Sequence, residues 1–431
     1  MFLWAGLMVS SGQTVPDDSA GRERQFRQEL DSQKKFHREA HPEIARALNN
    51  LAVTLRDQGK PAEAETYFRE ALAIQGKLHG PDHFEIAESL CDVAQVLERQ
   101  DKLAGAEGVY REAVTMLKRL PGIEYSVRLD YAHGLGKVLF DQGKLTEAET
   151  LYRELLADVR VRFGDEHEQT AKHLSYLAKV LEAAGRHREI GPLRRESLAI
   201  RRKLSGNEHP EVATALNDLA VALRDESKTA EAEKVFKESL AMRRRLLGTN
   251  DVVVARSLNT LATLYFYSDR FDEAGPMYRE ALVIRKNQPR PEPTGVAASL
   301  HNLAAVLEKE EKLAEAAGLF REALAIRKKE LGDAHADTAQ TRSGLLSVLN
   351  KQRNFTEAEP LLLEVEATLE SNPKATCGGK RAQLVRVRDF YIEWAVTAPG
   401  TGKMTKASEW GKRLAAFDEL SQQSNPVAKE K

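Results

Sequence analysis

The sequence predicts an all-α solenoid of antiparallel helix pairs, and three observations carry that prediction. The segment HPEIARALNNLAVTLRDQGKPAEAETYFREALAIQGKLHGPD, beginning at His41, recurs without insertion or deletion at residues 83, 125, 167, 209, 251, 293 and 335. A fixed period of this length marks stacked supersecondary units rather than independent domains. Within each unit two stretches carry apolar residues at helical spacing, joined by a short polar link. The composition agrees: 30% charged and 6% aromatic residues, with Ala, Leu, Glu, Arg and Lys dominant, suits amphipathic helices and not sheets.

The chain opens on MFLWAGLMVSSG, apolar from Met1 to Val9 but without Lys or Arg and shorter than the ~20 residues a membrane helix needs. Residues 1–18 are therefore an uncertain N-terminal segment, read either as a frayed helix or, if residues 1–12 act as a weak signal peptide, as a sign of export. No stable membrane insertion is expected. The two cysteines, Cys91 and Cys377, lie far apart with no CxxC or Cys/His spacing, which favours reduced thiols and a cytoplasmic location. Phe26, Arg27 and Leu30 stand one period before Phe68, Arg69 and Leu72, so residues 19–40 read as an unpaired capping helix.

Eight 42-residue units fill residues 41–376. In the first helix of a unit, Leu48, Leu51, Ala52 and Leu55 lie at i, i+3, i+4 and i+7, one buried face, and Leu216, Leu219, Ala220 and Leu223 repeat them. Gly59, Gly143 and Gly185 end their helices, since glycine enters the left-handed conformation at little cost. The second helix carries Ala64, Phe68, Ala71 and Leu72, in which small residues allow close approach and one aromatic fills the wedge between neighbours. Pro192, Pro276 and Pro360 are expected in the first turn of that helix, where amides have no intrahelical partner to lose. Arg194 at the Phe68 position, and Gly134 and Gly136 within a first helix at about 1 kcal/mol each, predict a soft middle in units three and four. Residues 377–420 read as a degenerate capping pair, and residues 421–431 as a polar, mobile tail.

The sequence L-x-x-L-A-x-x-L, then G-K, then E-A-E-x-x-Y/F-R-E-A-L-x-I resembles the tetratricopeptide repeat (TPR). The 42-residue period, LNNLA and the turns in LHGPDHFEIA, GNEHPEVA and LGDAHADTA are similar specifically to the kinesin light chain type. It is not a kinesin light chain proper, because residues 1–40 lack the heptad pattern that joins those chains to the motor. The resemblance implies a right-handed superhelix whose first helices line a concave, protein-binding face. It implies also that the residue after the first core leucine points into the groove: Asn49, Cys91, His133, Ser175, Asn217, Asn259, His301 and Ser343.

On that reading Asn49 is a groove candidate, and the richest patch is Asn217, Arg224, Arg256, Asn259 and His301, with Phe266 and Tyr267 beside them. A protein or peptide carrying acidic residues and a hydrophobic anchor suits this patch, because arginine pairs bidentately with carboxylates and aromatics supply apolar contact area. Alternatively Asn217 and Asn259 bond to neighbouring backbone and the arginines form a solvated face. The formal charge of −1, from 64 basic and 65 acidic residues, gives no global excess to attract nucleic acid.

Chemistry-bearing motifs are weak. His41, His83, His167, His209 and His335 occupy one repeat position, which makes them turn residues and not a metal cluster; no metal and no cofactor are expected. HEQTAKH at 167–173 spaces its histidines six apart, unlike the i and i+4 pair of a zinc protease. TAPGTGKMT at 397–405 resembles a phosphate-binding loop only in Gly402-Lys403. Thr397 stands where the first glycine belongs and Met404 where the hydroxyl belongs. The sequence therefore reads as a non-enzymatic scaffold or adaptor, with no catalytic residues. The alternative is a regulatory or receptor-like subunit whose bending on binding controls an associated signalling enzyme; the oligomeric state is open.

Overall fold

The computed structural model describes residues 19–37, 40–80, 82–371 and 376–423. The signal-peptide question at residues 1–12 and the tail beyond Gln423 lie outside the described residues. The chain divides after Leu204 into two compact units. The first holds α1 (Ser19–Phe36), α2 (Pro42–Asp57), α3 (Pro61–His79), α4 (Phe84–Arg99), α5 (Leu103–Arg119), α6 (Tyr125–Asp141), α7 (Leu145–Phe163), α8 (Glu168–Ala183) and α9 (His187–Ser205). The second holds α10 (Pro210–Asp225), α11 (Thr229–Leu247), α12 (Val252–Tyr267), α13 (Phe271–Lys286), α14 (Pro293–Lys309), α15 (Leu313–Leu331), α16 (Ala336–Lys351), α17 (Phe355–Ser371), α18 (Cys377–Thr397) and α19 (Lys403–Gln423). Among the described residues there is no strand, and no helix is long and apolar enough to cross a membrane.

From α2 to α17 each even-numbered helix, here an A helix, packs antiparallel on the B helix that follows it. The predicted core leucines Leu48, Leu51 and Leu55 are fully buried, as is Phe68 on the paired helix; Tyr110, Tyr152, Phe236, Tyr278 and Phe320 repeat that aromatic in other pairs. Each such side chain contributes about 1.5–3 kcal/mol on burial, and that apolar seam holds a pair to its neighbour within its unit.

Both ends of the A helices are specified by side-chain and backbone chemistry. The five repeated histidines are N-caps: Nδ1 of His41, His83, His167, His209 and His335 accepts from the amide two residues on at 3.1–3.3 Å. Asp251 takes the same place on α12, its Oδ1 accepting from the Val253 amide at 2.7 Å. The turn after each A helix is left-handed in every repeat. Gly59, Gly143 and Gly185 occupy it at φ 71–75°, and Asp101, Ser227, Asp269, Glu311 and Arg353 adopt the same conformation at φ 56–62° without being glycine. They are held there by a bond from the next amide to the last buried residue of the helix, as from Lys312 to the Leu307 carbonyl at 2.9 Å.

The expectation for the prolines fails here. Pro192, Pro276 and Pro360 are inside α9, α13 and α17, each the sixth residue of a helix that starts at His187, Phe271 or Phe355. The helices begin directly after the left-handed turn, earlier than the proline position suggests. Gly191 and Gly275 precede two of the prolines and remove the Cβ that would crowd the ring.

Gly134 and Gly136 have a packing role besides their low helix propensity. A Cβ on Gly134 would lie 2.6 Å from the Tyr110 ring, and one on Gly136 would lie 2.6 Å from the Tyr152 ring. The glycines admit the aromatic wedge; Gly344 does the same for Phe320 in the second unit.

The many acidic residues do more than pair along one helix. Successive B helices are joined at a constant separation of 36 residues by Lys34–Glu70, Arg111–Glu147 and Arg153–Glu189 in the first unit, and by Arg244–Glu280, Lys286–Glu322, Arg321–Glu357 and Lys328–Glu364 in the second. Exposed pairs contribute roughly 0–1 kcal/mol each, so the ladder fixes register more than stability.

Candidate functional site

The site candidates of the second unit lie on its A helices. On α12, Arg256, Asn259, Thr263 and Phe266 follow one another at three and four residues, and Asn217 and Arg224 are seven apart on α10; each set is a single stripe of its helix. These stripes flank the leucines that bury the other side. Arg256 is exposed, Asn217 and Asn259 are half-buried, and Tyr267 is 78% exposed at the end of α12.

The side chains are not equally available. Asn259 Nδ2 donates to Ser299 Oγ on α14 at 3.1 Å, while its Oδ1 is buried without a hydrogen-bond partner. A polar atom left so costs about 1–3 kcal/mol. Asn49 in the first unit shows the same unsatisfied Oδ1. Arg224 is less free than its position suggests: Nε and Nη2 both reach Asp225 Oδ1 at 2.8 Å. Phe266 is half-buried and edge-on to Phe271 and Tyr267, at ring separations of 5.5 and 5.6 Å.

His301 departs from the expected open position. It is 9% exposed and sits edge-on to Phe320, with its Nδ1 unpartnered. Burial, then the Arg327 charge, pulls its imidazole down to about 4 against the weaker opposing pull of Asp337. The cause is local packing: α14 carries Ala298 and Ala305 around it, and small neighbours let the ring sink toward Phe320. It is a neutral core side chain and not a contact on the stripe.

The equivalent positions of the first unit are filled differently. Cys91 is half-buried and burial pushes its thiol up to about 12, which leaves it unreactive at neutral pH. His133 stacks on Tyr176 with ring centroids 4.0 Å apart, and its Nδ1 lies 3.1 Å from the Tyr152 hydroxyl. Burial lowers the pKa of His133, and the His173 charge adds to the effect.

Other clusters are accounted for by structure. His79, His83 and Glu85 bring potential ligand atoms within 4.8 Å of one another. However, the two rings stack 4.1 Å apart at 11°, so their in-plane lone pairs run parallel instead of converging on an ion. Phe163 stacks on His167 in the same way two repeats later, which identifies the pair as a brace for the capping histidine. At the other end of the chain, Gly400 and Gly402 take φ 80° and 73° in the turn between α18 and α19. Lys403 there sits 3.4 Å over the Trp394 ring and 3.5 Å from Glu359, held by the protein itself.

Sequence reasoning missed one set of arginines that lies between successive helices. Arg243, Arg285 and Arg327 come from the B helices and reach into the next A helix, bonding to Ser257, Gly295 and Thr341. The signal was present: the same repeat position holds Gln75, Leu117 and Val159 earlier in the chain and turns to arginine in the later repeats.

A family model described as tetratricopeptide repeat matches residues 43–119, 128–190, 173–245, 211–287 and 295–371. No curated protein matches the chain. Among solved structures it is similar to the apo form of RapI, at 15% identity over 88% of this chain and 99% of that one, with a TM-score of 0.52. It is also similar to the apo form of the quorum sensor NprR from B. thuringiensis, at 17% identity over 92% and 99%, with a TM-score of 0.51. These two likenesses concern the fold alone. A Podosopora anserina kinesin light chain with nearly identical TPR-like repeats aligns at 25% identity over 48% of this chain and 98% of that one, with a TM-score of 0.44.

Proposed function

Because the chain belongs to the tetratricopeptide repeat family, we propose that it is a non-enzymatic scaffold or adaptor that binds a peptide or partner domain along the A-helix stripe of its second unit. The observation that carries this reading is the outer side of α12, along which the exposed Arg256, the half-buried Asn259 and Phe266 and the exposed Tyr267 follow one another. An amide side chain carries both a donor and an acceptor, which suits the backbone of an extended chain. Arg256 and the exposed Tyr267 at the two ends of α12 suit a carboxylate and an apolar side chain on the same ligand. The preferred ligand is thus a peptide with acidic residues and a hydrophobic anchor.

Each hydrogen bond of this kind contributes roughly 0.5–1.5 kcal/mol, so several must act together. The combined variant Asn217→Ala, Arg256→Ala and Asn259→Ala should weaken capture of co-purifying partners at least about tenfold, with the helical circular dichroism unchanged. Partners retained in full by that variant would remove the stripe from consideration. A parallel nucleotide-binding assay on the purified chain tests the non-enzymatic part, for which no binding is expected.

A further inference from the structure

Two histidines of the first unit carry an inference that is independent of the binding stripe. His133 on α6 and His173 on α8 both meet the ring of Tyr176: His133 stacks on it at 4.0 Å, and His173 stands edge-on at 5.8 Å. His173 is 2% exposed. Its Nδ1 lies 2.8 Å from the Gln169 carbonyl, which can only accept, so the ring proton sits on Nδ1 and leaves Nε2 as the bare nitrogen. That Nε2 is buried without a hydrogen-bond partner.

The repeat register gives the reason. In three other repeats a B-helix side chain satisfies the polar residue at this position of the next A helix: Gln75 pairs with Ser89 at 2.6 Å, Arg243 with Ser257 at 2.6 Å and Arg327 with Thr341 at 2.5 Å. Ahead of His173 that place is held by Val159, fully buried and without a polar side-chain atom. A second proton on His173 would enter at an atom with no acceptor, and a buried unpaired charge costs far more than a buried neutral group. At His133 the Tyr152 hydroxyl of α7 lies 3.1 Å from Nδ1. A hydroxyl donating there must turn its proton away once that nitrogen is protonated.

The charges around the pair are engaged elsewhere. Glu98 of α4 holds Lys137 of α6 and accepts from the Tyr110 hydroxyl of α5 at 2.8 Å. Lys172 on α8 pairs with Glu168 at 2.6 Å, and Arg201 of α9 donates to Ser197 at 3.4 Å. Burial lowers the pKa of both imidazoles. At His133 the His173 charge and Lys137 add to this, against Asp130 and Glu98; at His173 Lys172 adds to it, against the Gln169 carbonyl.

We infer that α6–α8 form an acid-released segment, in which charging His133 and His173 breaks their packing on Tyr176 and opens the first unit at its third and fourth repeats. The sign follows from linkage. With 6.5 as the unfolded value and both folded values below it, the stability is present above pH 6.5 and is lost as pH falls through the folded values.

Hydrogen–deuterium exchange of the full chain at about pH 7.5 and about pH 5, corrected for the intrinsic exchange rate at each pH, tests this. The internal reference is α12, since α11–α13 hold no histidine. Between the two conditions, protection in α6–α8 should fall at least about tenfold relative to α12. The variants His133→Asn and His173→Ala place residues that the chain itself uses at those repeat positions, as Asn49 and Asn217, and Ala47 and Ala215, show. Each variant should reduce the fall, and the two together should abolish it. Equal protection of wild-type α6–α8 at both pH values, or a full fall retained in the double variant, would overturn the inference. A fall shared equally by α12 would overturn it too, since the opening would then be global.

Discussion

His133 in the first unit and Asn259 in the second occupy the same repeat position, yet one is enclosed by aromatic rings and the other donates to Ser299 on the next A helix. In the first unit, glycines at 134 and 136 let Tyr110 and Tyr152 press into α6, and Tyr176 closes over His133. In the second, α12 carries Thr260 and Ala262 at those places; Tyr278 stops at the Thr263 hydroxyl, 2.9 Å away, and the stripe stays polar. The comparison teaches that a common backbone register does not fix the chemistry of the face. Whether a wedge aromatic may advance depends on the residue it meets on the facing helix.

The largest expected effect that sharpens this contrast concerns His301, the second-unit residue that behaves like the first unit. Its folded imidazole titrates near about 4 and its unfolded one near 6.5, so between these values the unfolded chain binds more protons. The stability it contributes is present above pH 6.5 and is lost as pH falls through 4, by up to about 3 kcal/mol. Urea titrations at a series of pH values should show that slope, and His301→Asn should flatten it.

Next in size, Gly136→Ala should destabilise the chain by about 1–3 kcal/mol because Tyr152 cannot retreat from a packed core. Gly108→Ala, in the interior of α5 with nothing within 4 Å of its Cβ, should instead stabilise it by about 0.5–1 kcal/mol. Urea midpoints of the two variants check the opposite signs. If both stabilise, the glycines of α6 are not there for the tyrosines. Smaller again, His209→Ala should cost about 1 kcal/mol through the lost cap on α10, while His209→Asp should recover most of it, as Asp251 does on α12.

Much of the fold was legible because repetition averages away local ambiguity. The leucines at 48, 51 and 55 recur at fixed spacing, and their burial follows from that spacing alone. The turn residue was legible as Gly59 but not as Glu311, whose left-handed conformation is imposed by the bond that closes the helix end and not by its own preference. The role of Gly134 and Gly136 was not legible, because propensity counts a missing methyl as a loss and does not show that the site needs the space for a ring that belongs to another helix. His301 misled for the converse reason: position places it on the stripe, but its small neighbours let it turn inward. The arginines at 243, 285 and 327 were overlooked because a lone arginine on a helix normally signals solvent, and only the neighbouring A helix reveals where each head goes.

The central claim is that the A-helix stripe of the second unit recognises an extended peptide with acidic residues and a hydrophobic anchor. Selection from a displayed random-peptide library on the immobilised full chain, in parallel with its Asn217→Ala, Arg256→Ala and Asn259→Ala combination, tests it most directly. Enrichment of Asp/Glu-containing sequences with one large apolar residue on wild type, and none on the variant, is the predicted result. The same sequences enriched on both, or basic sequences enriched on wild type, would contradict it.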